Sequence, residues 1–169
     1  MNAMFRFVST APRARCPKDI GYPEQLLLRS IRLWVIGYRL NKSSDDRLAK
    51  AFETASIHLG RQRFEEFMVA VTAGAARSLG IHCVCHEGIG EDEYQLLDIL
   101  RLSQRDFGAG QCRFLLEDLL TVAALPIAAV KAQALAIAFN EAGYKLLGLR
   151  AQTYMENIGA DTRICGAVH

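Results

Sequence analysis

Hydrophobic side chains recur every three or four positions along most of the chain, which is the spacing of one face of an α-helix. The pattern predicts a first helix over about residues 23–40. Pro23 suits its first turn, where the missing N–H has no partner to lose. Arg29, Arg32 and Arg39 lie off the apolar stripe and are expected to face water. The stripe itself consists of Leu27, Ile31, Trp34, Val35 and Tyr38.

Five further helices follow from the same spacing together with residues that start or stop a helix. Ser43 and Ser44 cap a second helix that Gly60 stops, and the acids at 91–93 suit the first turn of a fourth. Gly74 interrupts the third helix, where we expect it to allow close packing against a neighbour. The predicted helices after the first are about 45–59, 61–80, 91–103, 111–124 and 126–143, followed by a short helix near 149–157.

Six helices joined by short loops predict an all-α domain, either an antiparallel bundle or an irregular orthogonal array. Of the 169 residues, 51% are hydrophobic, 22% are charged and only four are proline, which agrees with one soluble helical domain. We expect residues 21–145 to form this domain and residues 146–169 to form the short helix or a loose tail. The first and sixth helices have broad apolar stripes, so a homodimer or a protein partner is expected to cover part of them.

Charge is distributed unevenly along the chain, although its net value is only +2. Residues 1–18 contain four basic residues and no acid, so the other 16 bases and 18 acids leave −2 for the rest. So small a balance argues against a nucleic-acid partner. Residues 1–20 are predicted to be a basic, flexible arm, and deletion of residues 1–18 is expected to leave the folded body intact.

Residues 119–139 are long and apolar enough to be considered as a membrane span, with Lys131 as their single charge. Lys131 and Gln133 would be costly inside a bilayer, and Pro126 divides the segment into pieces too short to cross. We therefore expect a buried pair of helices here and no membrane contact. Five cysteines at irregular spacing predict free thiols in a reducing compartment, so the expected location is the cytoplasm.

The densest group of reactive side chains lies within residues 80–90, a segment predicted to be a loop bounded by glycines. His82, Cys83, Cys85 and His86 fall within five residues. Because thiolates and neutral imidazoles are the ligands that zinc prefers, these four side chains are a candidate site for zinc or iron. The C-x-C spacing is tight for two ligands of one tetrahedron, however, and no second pair of ligands follows downstream.

Other interpretations of this loop stay open. In one, Cys83 and Cys85 pack inward as small hydrophobic side chains while His82 and His86 face water. In another, the two thiols form a redox-responsive pair whose disulfide would be strained and therefore labile. A thiol-dependent enzyme is a third alternative, which the acids at 91–93 oppose because negative charge raises a thiol pKa.

Two short segments of the chain resemble one family. The run Arg32-Leu33-Trp34, together with the C-x-C motif shortly before Gly90-Glu91-Asp92-Glu93, resembles small all-helical alphaproteobacterial proteins of unknown function. The resemblance implies an all-helical domain from a bacterial cytoplasm and brings no activity with it. The sequence thus favours a helical binding or regulatory protein that responds to metal or redox state. The alternatives are a structural interaction module without metal and a small thiol-dependent enzyme.

Overall fold

The computed structural model describes residues 5–7, 20–40 and 46–147. These residues form six α-helices, two three-residue strands and one turn of 3-10 helix, so the predicted all-α fold is confirmed. The helices are α1 Tyr22–Arg39, α2 Asp46–Thr54, α3 Gly60–Gly74, α4 Glu91–Ser103, α5 Ala109–Leu119 and α6 Leu125–Glu141, with the 3-10 turn at Val122–Ala124. The strands are β1 Phe5–Phe7 and β2 Leu79–Ile81.

An apolar core lies where the helices meet. α4, α5 and α6 pack against one another, α3 lies against α6, and α1 contacts α2, α3 and α4. The ring of Phe52 in α2 has its centroid 5.7 Å from that of Phe64 in α3 and 6.3 Å from that of Phe139 in α6. All three rings are buried. These aromatic contacts hold α2, the shortest helix, against α3 and α6.

The turn between α2 and α3 differs from the prediction. α2 ends at Thr54, because Ser56 and Leu59 take left-handed backbone conformations, with φ of 54° and 55°, that an α-helix does not continue. Gly60, which was expected to stop α2, is instead the first residue of α3. The break therefore occurs at ordinary residues that carry no turn signal in the sequence.

The C-terminal end of α3 is hydrogen-bonded to the segment that precedes α6. α3 stops at Gly74 instead of Gly80, and the Gly74 carbonyl accepts a hydrogen bond from the N–H of Thr121 at 2.8 Å. The close packing expected at Gly74 is confirmed, because a Cβ added there would overlap the Cβ of Ala124. Part of the predicted loop at 80–90 is also ordered as strand, since β2 extends to Ile81.

We expect Gly74→Ala to lower the free energy of unfolding by about 1–3 kcal/mol, because the added methyl group has no room beside Ala124. Gly110→Ala in α5 is the matched control. Its added Cβ meets no atom within 4 Å and alanine favours a helix, so that substitution should be neutral or stabilising. Urea unfolding followed by circular dichroism measures both, and equal effects at the two positions would contradict the packing argument.

Residues 5–7 are docked on the helical body as strand β1. This strand pairs in parallel with β2, with Phe5 opposite Leu79. The Phe5 side chain is 1% exposed, and the centroid of its ring lies 6.0 Å from that of Trp34 in α1. An apolar ring and the open edge of β2 thus hold residues 5–7 in place, which differs from a flexible chain at these three positions, while the arm over residues 1–20 as a whole stays a prediction.

Three predictions fall partly or wholly outside the described residues. These are the Ser43 and Ser44 caps, most of the basic arm, and the short helix at 149–157. The described residues extend to 147, slightly beyond the predicted boundary at residue 145. Leu146 is buried, and its N–H donates a hydrogen bond to the side chain of Gln104 at 2.8 Å.

α6 contacts α3, α4 and α5 but leaves one face exposed, which differs from the buried helix pair predicted for residues 119–139. Lys131 pairs with Glu66 of α3 at 2.9 Å, because α3 lies beside it. The opposite side exposes Ile127, Val130 and Ile137. By length and composition alone, Val122–Glu141 is apolar enough to cross a membrane, a criterion that core helices of soluble proteins also meet. Coverage of this side by a second copy or another protein stays a prediction.

Candidate functional site

Glu93, in the first turn of α4, lies at the centre of a buried polar network. Its fully buried carboxylate accepts hydrogen bonds from the Arg32 guanidinium at 2.8 and 2.9 Å. It also accepts the backbone N–H groups of His82 at 3.0 Å and Gly90 at 2.8 Å. The imidazole Nδ1 of His82 lies 3.1 Å from the same carboxylate. One side chain thus joins α1, the residue after β2 and the start of α4.

Arg32 braces the segment between β2 and α4, residues 82–90, which we call the thiol loop. Its guanidinium donates to the backbone carbonyls of His86 at 2.8 Å and Gly88 at 2.5 Å, in addition to its ion pair with Glu93. The prediction that Arg32 faces water is wrong, since the residue is only 3% exposed. The reason is that the thiol loop and α4 supply acceptors that a helical pattern within α1 cannot reveal.

The Glu93 carboxylate is kept ionised by its surroundings. Burial raises the pKa of Glu93, but hydrogen bonds and charge from Arg32, together with the N–H groups of Gly90 and His82, outweigh that effect. The pKa therefore lies below the ordinary value of 4.5. A buried carboxylate paired with a buried guanidinium is costly to break, because either group alone would be an unpaired charge in the core.

The two thiols of the loop lie side by side and reach the surface. Cys83 is half-buried, Cys85 is exposed, and their Sγ atoms are 2.7 Å apart. A hydrogen bond from the His86 N–H to the Cys83 carbonyl, 3.1 Å long, closes the turn that brings them together. The hydrogen bond between the two thiols lowers the pKa of Cys83 and raises that of Cys85. Cys83 is thereby favoured as the thiolate and Cys85 as the thiol.

The acids at the start of α4 do not raise the pKa of Cys83, contrary to the expectation from the sequence. Asp92 is paired with Arg77 through hydrogen bonds of 2.7 and 3.1 Å. Glu93 is paired with Arg32. Two of the three negative side chains are thus compensated by arginines, which weakens the argument against a thiolate in this loop.

The two imidazoles form a second pair, on the inner side of the thiol loop. The rings of His82 and His86 are stacked, with centroids 3.9 Å apart and an interplanar angle of 5°. His82 is 2% exposed, and its Nε2 has no hydrogen-bond partner among the described residues. Burial, together with the neighbouring His82 and Arg32, lowers the pKa of His86 below its ordinary value of 6.5. His86 is therefore neutral at physiological pH.

The structure reverses the packing interpretation of the loop. That interpretation placed the cysteines in the core and the histidines in water, whereas His82 is buried and Cys85 is exposed. The physical reason is that the Glu93 carboxylate gives the His82 ring a buried polar partner. Cys112 in α5 is the buried cysteine of the described chain, and burial raises its pKa.

The predicted metal ligands are arranged as a thiol pair and an imidazole pair. Within residues 5–7, 20–40 and 46–147, no three His, Cys, Asp or Glu side chains are grouped in a way that would hold a metal ion. His82 has the orientation common to metal-binding histidines, with Nδ1 on a carboxylate and Nε2 without a partner. Zinc or iron bound by His82, Cys83, Cys85 and His86 stays a prediction.

The residues that support the loop were missed in the sequence, although one signal was present. Glu93 is the third residue of α4 after Gly90 and accepts the Gly90 N–H, which is one half of a capping box. Nothing in the local pattern marks Arg32, which is 61 residues away from Glu93 along the chain.

Comparison of the chain with protein-family models, with curated proteins and with solved structures finds no match in any of the three.

Proposed function

We propose that this chain is a redox-responsive regulatory protein in which Cys83 and Cys85 form the switch. The observation that supports this most is the 2.7 Å separation of two surface-reaching sulfur atoms. The loop that carries them is fixed in position, because the Arg32 guanidinium donates hydrogen bonds to two of its backbone carbonyls. Because the loop is held in this way, formation of a bond between the two thiols can shift the helices that contact the loop.

Oxidation of the pair removes two electrons and two protons and joins the sulfurs. With hydrogen peroxide as oxidant, the Cys83 thiolate attacks one oxygen, the O–O bond breaks, the other oxygen leaves as hydroxide, and Cys83 becomes a sulfenic acid. The Cys85 thiol then attacks that sulfur, so that an S–S bond forms and water leaves. The lowered pKa of Cys83 and the raised pKa of Cys85 fit these attacking and resolving roles.

The disulfide would close across a single intervening residue, which strains it and favours its reduction by dithiols. The proposed location is the cytoplasm, where thiol reductants make the change reversible. Formation of the bond tightens the turn that ends at His86, whose carbonyl binds Arg32. The buried pair of Arg32 and Glu93 is therefore the route by which the thiols influence the contact between α1 and α4.

We expect mild hydrogen peroxide to oxidise the loop thiols selectively in the full-length chain. The peptide that contains Cys83 and Cys85 should lose the mass of two hydrogen atoms and regain it with dithiothreitol. The peptide that contains Cys112 should not change, because that thiol is buried and has a raised pKa. Proteolysis and mass spectrometry measure both peptides in one sample.

Single serine substitutions test the attacking role of Cys83 and the resolving role of Cys85. In Cys85→Ser, a sulfenic acid should accumulate at Cys83 and be trapped by dimedone. In Cys83→Ser, Cys85 loses the partner that raises its pKa but still lacks the backbone hydrogen bond from His86 that lowers the pKa of Cys83, so it should react with peroxide more slowly than Cys83 does in Cys85→Ser. Equal reactivity of the two variants, or a loop peptide that keeps both hydrogens after peroxide treatment, would contradict the proposal.

Metal binding is a second candidate function, favoured by the buried and unpartnered Nε2 of His82. If it holds, the purified protein contains zinc or iron in near-stoichiometric amount, and a chelator lowers its melting temperature. Replacement of Cys83 and Cys85 together by serine should then remove the metal. Elemental analysis before and after chelation distinguishes the candidates, since metal-free protein that is unaffected by chelator leaves only the redox switch.

A further inference from the structure

An open cavity of about 690 Å³ lies between α1, α2 and the thiol loop. Residues of α1 and α2 make up most of its lining, and Val84 and His86 of the thiol loop complete it. Its volume is in the range of pockets that hold small organic ligands. The proposed redox switch does not use this space, because Cys83 and Cys85 are not among the residues that line it.

The charged side chains that line the cavity are all basic. Arg29 and Arg32 contribute from α1, and Arg47 and Lys50 contribute from α2. No aspartate or glutamate is among the described residues that line it. The charge of Arg32 is balanced by Glu93 from the core side, whereas Arg29 and Lys50 are exposed. A cleft lined by charges of one sign concentrates ligands of the opposite sign.

The walls between these cations are largely apolar. Leu26 and Leu33 of α1, Ala51 of α2 and Val84 of the loop line the cavity alongside the charged side chains. His86 adds a half-buried aromatic ring to the lining. A ligand that fits both features has an anionic group and a hydrocarbon body.

We propose that this cavity is a binding site for an amphipathic organic anion, with its acidic group between Arg29 and Lys50 and its hydrocarbon part against Leu26, Leu33 and Val84. Guanidinium and ammonium groups bind both carboxylates and phosphates, so the shared chemistry is a terminal oxyanion on an apolar chain. Val84, Arg32 and His86 belong both to this cavity and to the thiol loop or its support, but the proposal stands whether or not Cys83 and Cys85 form a switch.

Isothermal titration calorimetry with decanoate, below its micelle-forming concentration, tests the proposal. Decyl phosphate separates the two head-group chemistries, and decyltrimethylammonium carries the same chain with the opposite charge. We expect decanoate or decyl phosphate to bind at least about 10-fold more tightly than the cation, since the charged wall repels the latter. Equal affinity for the anions and the cation would overturn the proposal.

Substitutions then locate the site. Arg29→Gln combined with Lys50→Gln should weaken binding of the anion by about 10-fold or more, while circular dichroism shows an unchanged helical fold because both side chains are exposed. Arg105→Gln is the matched control, an exposed arginine outside the cavity, and should leave the affinity unchanged. Unchanged affinity in the Arg29 and Lys50 double variant would show that the anion binds elsewhere.

Discussion

Glu93→Gln is expected to lower the free energy of unfolding by about 3–5 kcal/mol, because it leaves the buried Arg32 guanidinium without a counter-charge. Glutamine has nearly the shape of glutamate, so the loss reports charge and hydrogen bonding and not a cavity. It also replaces one acceptor oxygen with an N–H donor, in a place where the partners of Glu93 are themselves donors. Urea unfolding followed by circular dichroism measures the difference.

The matched control is Glu117→Gln in α5. Glu117 pairs with Arg113 at 2.9 Å in the same ionic chemistry, but the two side chains are 45% and 71% exposed. Exposed pairs of this kind contribute about 0–1 kcal/mol, so the control should change stability little. Losses of similar size in the two variants would mean that the Glu93 network does not hold the core together.

The effect of Glu93→Gln should depend on pH in a defined direction. The pKa of Glu93 is lowered in the folded chain relative to the ordinary 4.5, so its contribution to stability is complete above that pH. The contribution is lost as the pH falls through the folded pKa, where the carboxylate takes up a proton. The difference in free energy of unfolding between the wild type and Glu93→Gln should therefore be largest at about pH 7 and shrink toward about pH 3. A difference that is independent of pH would exclude the carboxylate charge as its source.

The same network explains which parts of the site could be predicted from the sequence. The reactive residues are close together in the chain, so His82, Cys83, Cys85 and His86 were identifiable without a structure. Their orientation was not, because it depends on Arg32, which reaches the loop from α1. An arginine beside an apolar stripe usually faces solvent, and only its long-range partners decide otherwise.

The helices could be predicted because periodicity is a local property, and α1, α4 and α6 begin and end within a few residues of the expected positions. The breaks at Ser56 and Leu59 could not be predicted, since neither residue favours a left-handed backbone by itself. The pairing of β1 with β2 was also not predictable. Strands of three residues carry too short a pattern to identify, and their partner lies in a distant part of the chain.

Phe5→Ala is expected to lower the free energy of unfolding by about 3–5 kcal/mol, or the melting temperature by about 10 °C for a chain of this size. The ring of Phe5 is 1% exposed and makes edge-to-face contacts with Trp34 and Tyr38, whose centroids are 6.0 and 5.8 Å away. Its removal leaves a cavity against α1 and weakens the reason for β1 to stay paired with β2. Thermal unfolding followed by circular dichroism measures the change.

Phe107→Ala is the matched control, since it removes the same atoms from a side chain that is 98% exposed, and it should change stability by less than about 0.5 kcal/mol. Similar small effects in the two variants would mean that β1 contributes nothing to the folded state in solution. A loss confined to Phe5→Ala makes β1 part of the cooperative unit.

Because β2 ends at Ile81, directly before His82, such a result would also connect the N-terminal segment to the thiol loop. Peroxide reactivity of the loop should then rise in Phe5→Ala, since the strand that anchors one end of the loop has lost its partner.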